Sequence, residues 1–263
     1  LLRDFLKDKL REGDFEQYLE LQLQAGTIMA ARGAISEAVR HFVAANAWPT
    51  LASLIEEEAP RSYRLGRWAT ILTWLHAMPE RDRRAYPCLL VWECRILSRL
   101  GRSDQALSAV DEGMRTLAGS DSSLAAELET VRSEALRTRG DIGQAIEADR
   151  RAKAIAFAVN ANIEVMSQAR RELGVGLMVQ GDFQGAIDEL ATVLALESER
   201  GDSAQIAYLH GVLGSSYGAL GRLSASAHHL ERAREKWSEL GNNKELAWAL
   251  NNLGVAYWLL GRD

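Results

Sequence analysis

Histidine and cysteine are the side chains here most able to carry catalysis or hold a metal, and their spacing supports neither. Of the five histidines, His228 and His229 are adjacent. Adjacent side chains on a helix diverge by about 100°, so they do not chelate as an i, i+4 pair does. His41, His76 and His210 stand apart. His41 fits a packing position, His76 lies where Pro79 closes a helix and is placed to cap it, and His210 is placed to face a groove. Cys88 and Cys94 are too far apart for a Cys-x-x-Cys site and too few for a disulfide framework, which predicts two free thiols in a reducing compartment. HExxH and GxxxxGK[ST] motifs are lacking. The expectation is a chain with no catalytic residue, metal ligand or cofactor of its own.

Recognition chemistry is better represented, and it follows a repeat. Leu173-Gly174, Leu213-Gly214 and Leu253-Gly254 are 40 residues apart, as are Gly181, Gly221 and Gly261. A fixed period of this length marks a solenoid, in which each unit contacts its neighbours. Residues 162–180, 183–200, 203–220, 223–240 and 243–260 each read as a helix from apolar spacing such as Ile206, Leu209, Leu213 and Tyr217. Gly181-Asp182, Gly201-Asp202, Gly221-Arg222 and Gly241-Asn242 punctuate the ends, glycine closing one helix and an Asp or Asn capping the next. The Leu-Gly glycine is different. It falls inside a helix, at a cost of about 1 kcal/mol against alanine, and implies close approach of a second helix. Ala145, Ala186 and Ala227 are the small residues expected to meet it.

The predicted fold is all-α, a right-handed superhelix of antiparallel helix pairs with repeats of about 40 residues. The first helix of each pair lines the concave wall. Gln168, Arg171 and Val175 in one repeat, Tyr208 and Ser215 in the next, and Trp248, Asn251 and Asn252 in the last are expected there. Arginine clamps carboxylate or phosphate, asparagine pairs with a peptide backbone or sugar hydroxyls, and the aromatics stack on rings. The competing expectation is packing: Trp248 wedged between repeats, Arg171 paired with Glu172, and Tyr217 and Tyr257 inside their own repeats.

The same grammar runs backwards with drift, through Gly140-Asp141, Gly101-Arg102 and Gly33. Residues 48–100 are less regular and hold all four prolines, predicting helix with breaks near Pro60, Pro79 and Pro87. Three segments are expected: 1–12 closing a preceding winged-helix-like domain, 13–100 as irregular helical repeats, and 101–263 as regular ones. The chain opens on Leu1 without methionine and ends on Gly261-Arg262-Asp263, a sequence that elsewhere starts a helix, so a piece of a longer protein is expected. Tyr257, Trp258, Leu259 and Leu260 would then form an uncovered apolar edge. The net charge of −5 argues against direct nucleic-acid binding, and no apolar run is long enough for a membrane span.

The Leu-Gly-x-x-Tyr-x-x-x-Gly pattern resembles the tetratricopeptide repeat, with both helices lengthened. The 40-residue form is similar to the arm of MalT-like, LuxR-type transcription regulators of the STAND class. Glu37-Ala38-Val39-Arg40-His41-Phe42-Val43-Ala44-Ala45 resembles that family's EAIxHxLAA segment. Trp74-Leu75-His76-Ala77-Met78-Pro79 followed by Pro87-Cys88-Leu89-Leu90 resembles its WLxxLP…PxL segment. Leu2-Arg3-Asp4-Phe5-Leu6 looks like the closing helix after the nucleotide-binding module. The resemblance implies a cytoplasmic sensor and interaction arm that binds a small-molecule inducer or a protein or peptide partner. It also implies an ATPase module and a helix-turn-helix elsewhere in the same chain. A tetratricopeptide scaffold or peptide receptor unrelated to transcription is the alternative.

Overall fold

The computed structural model describes residues 9–117 and 122–261. The chain divides into two compact units, Leu1–Ala118 and Gly119–Asp263. Among the described residues the elements are helices, with no strand. The helix expected over Leu2–Leu6, and Arg262 and Asp263, lie outside the described residues.

In the first unit the helices are α1 (Phe15–Ala31), α2 (Ile35–Ala44), α3 (Trp48–Arg64), α4 (Trp68–Ala77), the single turn α5 (Glu80–Arg83), α6 (Pro87–Arg99) and α7 (Ser103–Thr116). The second holds α8 (Ser123–Arg139), α9 (Ile142–Ala158), α10 (Ile163–Gln180), α11 (Phe183–Arg200), α12 (Ser203–Ala219), α13 (Leu223–Glu239) and α14 (Asn243–Leu259). The five helices expected from the 40-residue period fall within one residue of their predicted ends. The architecture is a tetratricopeptide-like stack of helix pairs, a first (A) helix followed by a second (B) helix. The pairs are α1–α2, α3–α4, α6–α7, α8–α9, α10–α11 and α12–α13, and α14 is an A helix.

Each A helix ends on a glycine with positive φ: Gly33, Gly66, Gly101, Gly140, Gly181, Gly221 and Gly261. The bonds at Gly181 show why the position needs it. Gly181 N–H donates to Met178 O and Asp182 N–H to Leu177 O, a turn that only a left-handed residue closes. On the return, the Asn162, Asp202 and Asn242 side chains accept backbone N–H groups at the starts of α10, α12 and α14.

A second register holds each pair together. Seven residues before each of these glycines stands a small or compact residue: Gly26, Ala59, Cys94, Ser133, Gly174, Gly214 and Gly254. Sixteen residues beyond each of the first six stands the B-helix residue Phe42, Leu75, Val110, Asp149, Leu190 or Leu230. These six are all at most 2% exposed. A Cβ on Gly174 would lie 2.6 Å from Leu190 Cγ, one on Gly214 2.6 Å from Leu230 Cγ, and one on Gly26 2.5 Å from Phe42 Cε1. The filler is therefore a large apolar knob, and the alanines expected from the sequence are secondary; only the Ala186 carbonyl approaches, at 3.4 Å from the Gly174 position. Burying a leucine is worth about 1.5–3 kcal/mol, more than the glycine costs its helix.

Pro60 does not break its helix. It sits inside α3, where buried Leu51, Ile55 and Ala59 before it and buried Ser62 after it hold the helix against its neighbours and offset the lost hydrogen bond. Pro79 and Pro87 do mark boundaries, as N-cap of α5 and first residue of α6. The extra turn α5 is fastened by Glu93, which accepts Arg83 Nε at 3.0 Å and contacts His76 Nε2 at 2.9 Å. Arg83 also donates to the Leu75 and Met78 carbonyls. His76 thus bonds to Glu93 across helices and is not simply a cap. Cys88 and Cys94 are free thiols; burial, then Glu56, pushes Cys88 up to about 12, so it is not a nucleophile near neutral pH.

The knob register yields a prediction of opposite signs at one motif position. Gly214→Ala should destabilise by about 1–3 kcal/mol through overpacking against Leu230. At Gly254 no described atom lies within 4 Å of an added Cβ, so Gly254→Ala should stabilise by up to about 1 kcal/mol through helix propensity. Urea denaturation of both variants measures the difference.

Candidate functional site

The A-helix residues expected to line a wall separate into two local arrangements. The first is a polar centre joining α8, α9 and α10. Its cause is a register exception: where the two following repeats place glycine and leucine, this one has Ser133 and Asp149, both fully buried. An aspartate cannot occupy an apolar slot unpartnered, and Arg137, one turn along α8, reaches it. Arg137 Nη1 donates to Asp149 Oδ2 at 2.8 Å and to Ser133 Oγ at 2.6 Å, and its Nη2 donates to Glu172 Oε2 at 2.5 Å. Arg171 Nη2 contacts Glu172 Oε1 at 3.4 Å. Burial raises Asp149 to about 7, with Arg137 opposing the shift. Gly176 leaves room for this chemistry, since a Cβ there would sit 3.1 Å from Asp149 Oδ2.

Tyr208 on α12 stands in the field of this centre. Burial and then the Glu172 charge raise its phenol above the ordinary value, so the hydroxyl stays protonated and available as a donor. Its side chain remains 36% exposed. Arg171 is paired with Glu172, as the packing expectation had it, and Gln168 and Val175 are half-buried on the same helix.

The second arrangement lies on α14. The Trp248 ring packs over α12 so closely that a Cβ on Gly211 would meet its Cζ3 at 2.5 Å. Trp248 therefore wedges between repeats and still leaves 41% of its surface open. Asn252 spends its amide on the Trp248 carbonyl at 3.1 Å, while Asn251 is exposed. Ser215 is half-buried, with its hydroxyl oxygen enclosed.

The histidines hold positions the sequence did not suggest. His210 does not face an open groove. It meets the B helix α13, where the His210 and His229 Nδ1 atoms are 3.0 Å apart and one ring donates to the other. Tyr217 stacks on His229 at 5.3 Å. The spacing of 19 residues recurs: His41 contacts Gln22 Oε1 at 2.6 Å, and Arg170 donates to Glu189 at 2.8 Å. One A-to-B rung thus carries an amide–imidazole, an ion pair or two imidazoles in different repeats. Burial, then the neighbouring histidines, lowers His210 to about 4 and lowers His229 as well. Among the described residues no cluster of three or more potential ligands could hold a metal ion. No described helix is long and apolar enough to cross a membrane.

No protein-family model and no curated protein matches this chain. Its fold is shared with solved structures. A Signal Transduction ATPase with Numerous Domains (STAND) protein with a tetratricopeptide repeat sensor, from Pyrococcus horikoshii, aligns over 92% of this chain and 37% of its own, with a TM-score of 0.66 and 13% identity. Aspartyl phosphate phosphatase F from Bacillus subtilis aligns over 97% of this chain and 61% of its own, with a TM-score of 0.63 and 11% identity. A putative kinesin light chain from Podosopora anserina, with nearly identical tetratricopeptide-like repeats, aligns over 65% and 85%, with a TM-score of 0.56 and 18% identity. At these identities the likeness establishes the fold.

Two predictions follow from the site's electrostatics. Arg137→Met leaves Asp149 without its cation and should destabilise by about 3 kcal/mol. Adding Asp149→Leu, which installs the knob of the two following repeats, should recover at least half of that loss in a double-mutant cycle. The imidazole pair has the depressed-pKa sign: its contribution is present above pH 6.5 and is lost as pH falls through about 4. Replacing it with the ion pair of the preceding repeat, His210→Arg with His229→Glu, should raise the melting temperature relative to the parent progressively from pH 6.5 to 4.5. Asp149 titrates in both proteins, so its opposite contribution cancels in the comparison.

Proposed function

We propose that this chain is the sensor and interaction arm of a bacterial, cytoplasmic, ATP-dependent transcription regulator of the MalT-like STAND class. In this reading a small-molecule inducer or protein partner binds along the A-helix face, and the chain itself performs no catalysis. The observation that carries the reading is the structural alignment of a STAND protein that has a tetratricopeptide repeat sensor to 92% of this chain, with only 37% of that protein covered. The EAIxHxLAA-like and WLxxLP-like segments, which a plain repeat array does not require, point the same way.

The face offers donors and stacking surfaces without a catalytic constellation. The Arg137–Glu172–Arg171 chain presents charge that is already internally paired, so a ligand must exchange partners with it. Such an exchange differs in free energy between bound and free states, which a switch requires. Tyr208 and Trp248 add half-exposed aromatic surface on neighbouring A helices.

The alternative is a peptide-binding scaffold outside transcription, favoured by the exposed Trp248 and Asn251 on α14. Reading the gene frame on both sides of this chain separates the two. A phosphate-binding GxxxxGK[ST] loop upstream and a helix-turn-helix downstream are expected. Flanks composed only of further repeats would overturn the regulator and leave the scaffold.

A further inference from the structure

A cavity of about 480 Å³ lies where α10 is flanked by the B helices α9 and α11, apart from the A-helix wall discussed above. Aligning consecutive repeats by their knobs shows why it is there. In the next repeat the corresponding space receives Leu194 and Tyr217, both packed against the core. Here those positions are Lys153 and Leu177. The lysine turns its ammonium out to Glu189, and leucine is smaller than tyrosine, so apolar lining is left open.

The cavity has two chemically distinct parts. Met166, Leu173 and Leu177 supply apolar lining, and Phe157 stands at its edge 74% exposed. A phenyl ring left this open in a helical stack is surface that a ligand can cover. The polar side carries Arg150, Lys153 and Arg170. Among the described residues Lys153 and Arg170 share one carboxylate, Glu189, and Arg150 pairs with Glu147 on its own exposed helix face. The other acid, Asp182, is committed to capping α11 through Gly185 N–H. Two cations held by one carboxylate, with a third beside them, favour an added anion.

We infer that this cavity binds a small amphiphile with one anionic head, such as a carboxylate, and an aryl or medium-length acyl tail. The head joins Glu189 as a second anionic partner of Lys153 and Arg170, and the tail fills the space against Leu173, Leu177 and Phe157. The volume is in the range of small-molecule sites, and the space is open to solvent. The inference is independent of the regulator reading, since it needs neither an ATPase nor the A-helix face.

Titration of the 263-residue chain with two fluorescent probes of similar aryl frame tests it. These are the anionic 8-anilinonaphthalene-1-sulfonate and the neutral N-phenyl-1-naphthylamine. Saturation at one anionic probe per chain is expected, with displacement by 4-phenylbutyrate or decanoate. Ala154 lines the cavity and is exposed, so Ala154→Phe fills it without entering the core. This variant should weaken both probes at least tenfold; Ala154→Leu serves if circular dichroism shows the first unfolded. Lys153→Met with Arg150→Met should weaken the anionic probe at least fivefold and leave the neutral one within twofold. Unchanged probe binding in both Ala154 variants would place the signal elsewhere on the surface and overturn the site. Equal loss of both probes in the lysine–arginine variant would overturn the anionic head. Displacement by an acidic amphipathic peptide but not by either carboxylate would assign the cavity to a peptide and overturn the small-molecule class.

Discussion

The contact of a small A-helix residue with a B-helix knob sixteen positions later is what the stack depends on. An antiparallel pair of 17- or 18-residue helices can slide or rotate unless something fixes its register. The small-residue slot fixes it: Leu190, at zero exposure, sits where a Cβ on Gly174 would come within 2.6 Å of its Cγ. Interiors packed this closely do not deform smoothly, so the slot acts as a locating pin. The left-handed glycine seven residues on sets the reversal, and the capping Asn or Asp sets the return. With those points fixed, the side chains on each face take repeating addresses.

Function enters where an address is filled differently. Three departures in the second unit follow from one or two substitutions in the register. Asp149 in place of a leucine knob draws Arg137 inward and builds the polar centre with Glu172. His210 and His229 in place of Arg170 and Glu189 turn an ion pair into a neutral imidazole pair. Lys153 and Leu177 in place of Leu194 and Tyr217 open a cavity. The apolar pins elsewhere tolerate these polar insertions because each repeat is stabilised mainly by its own pair and its neighbours.

Much of the fold was legible in the chain because glycine and its neighbours punctuate it locally. Helix ends in the last hundred residues depend on Gly181, Gly201, Gly221 and Gly241, and those signals act within a turn. The alanine partners were misjudged because the knob is set by helix crossing, which sequence periodicity does not specify; a search for bulky residues sixteen after each small one would have found it. The Pro60 break was expected from the residue's own chemistry, and the packing of its helix overrides that. Arg171 pairing and the Trp248 wedge followed from composition and position. Asp149 and the His210–His229 pair did not, because each joins two helices through side chains 12 or 19 residues apart.

Hydrogen–deuterium exchange along the second unit tests the pin most directly. If filled slots hold the pairs, amides around Gly174 and Gly214, in α10 and α12, exchange slowest. Those around Gly254 in α14, whose slot no described residue fills, exchange faster by at least tenfold. Equal protection of α12 and α14 would contradict the account, since pairing would then not depend on the knob.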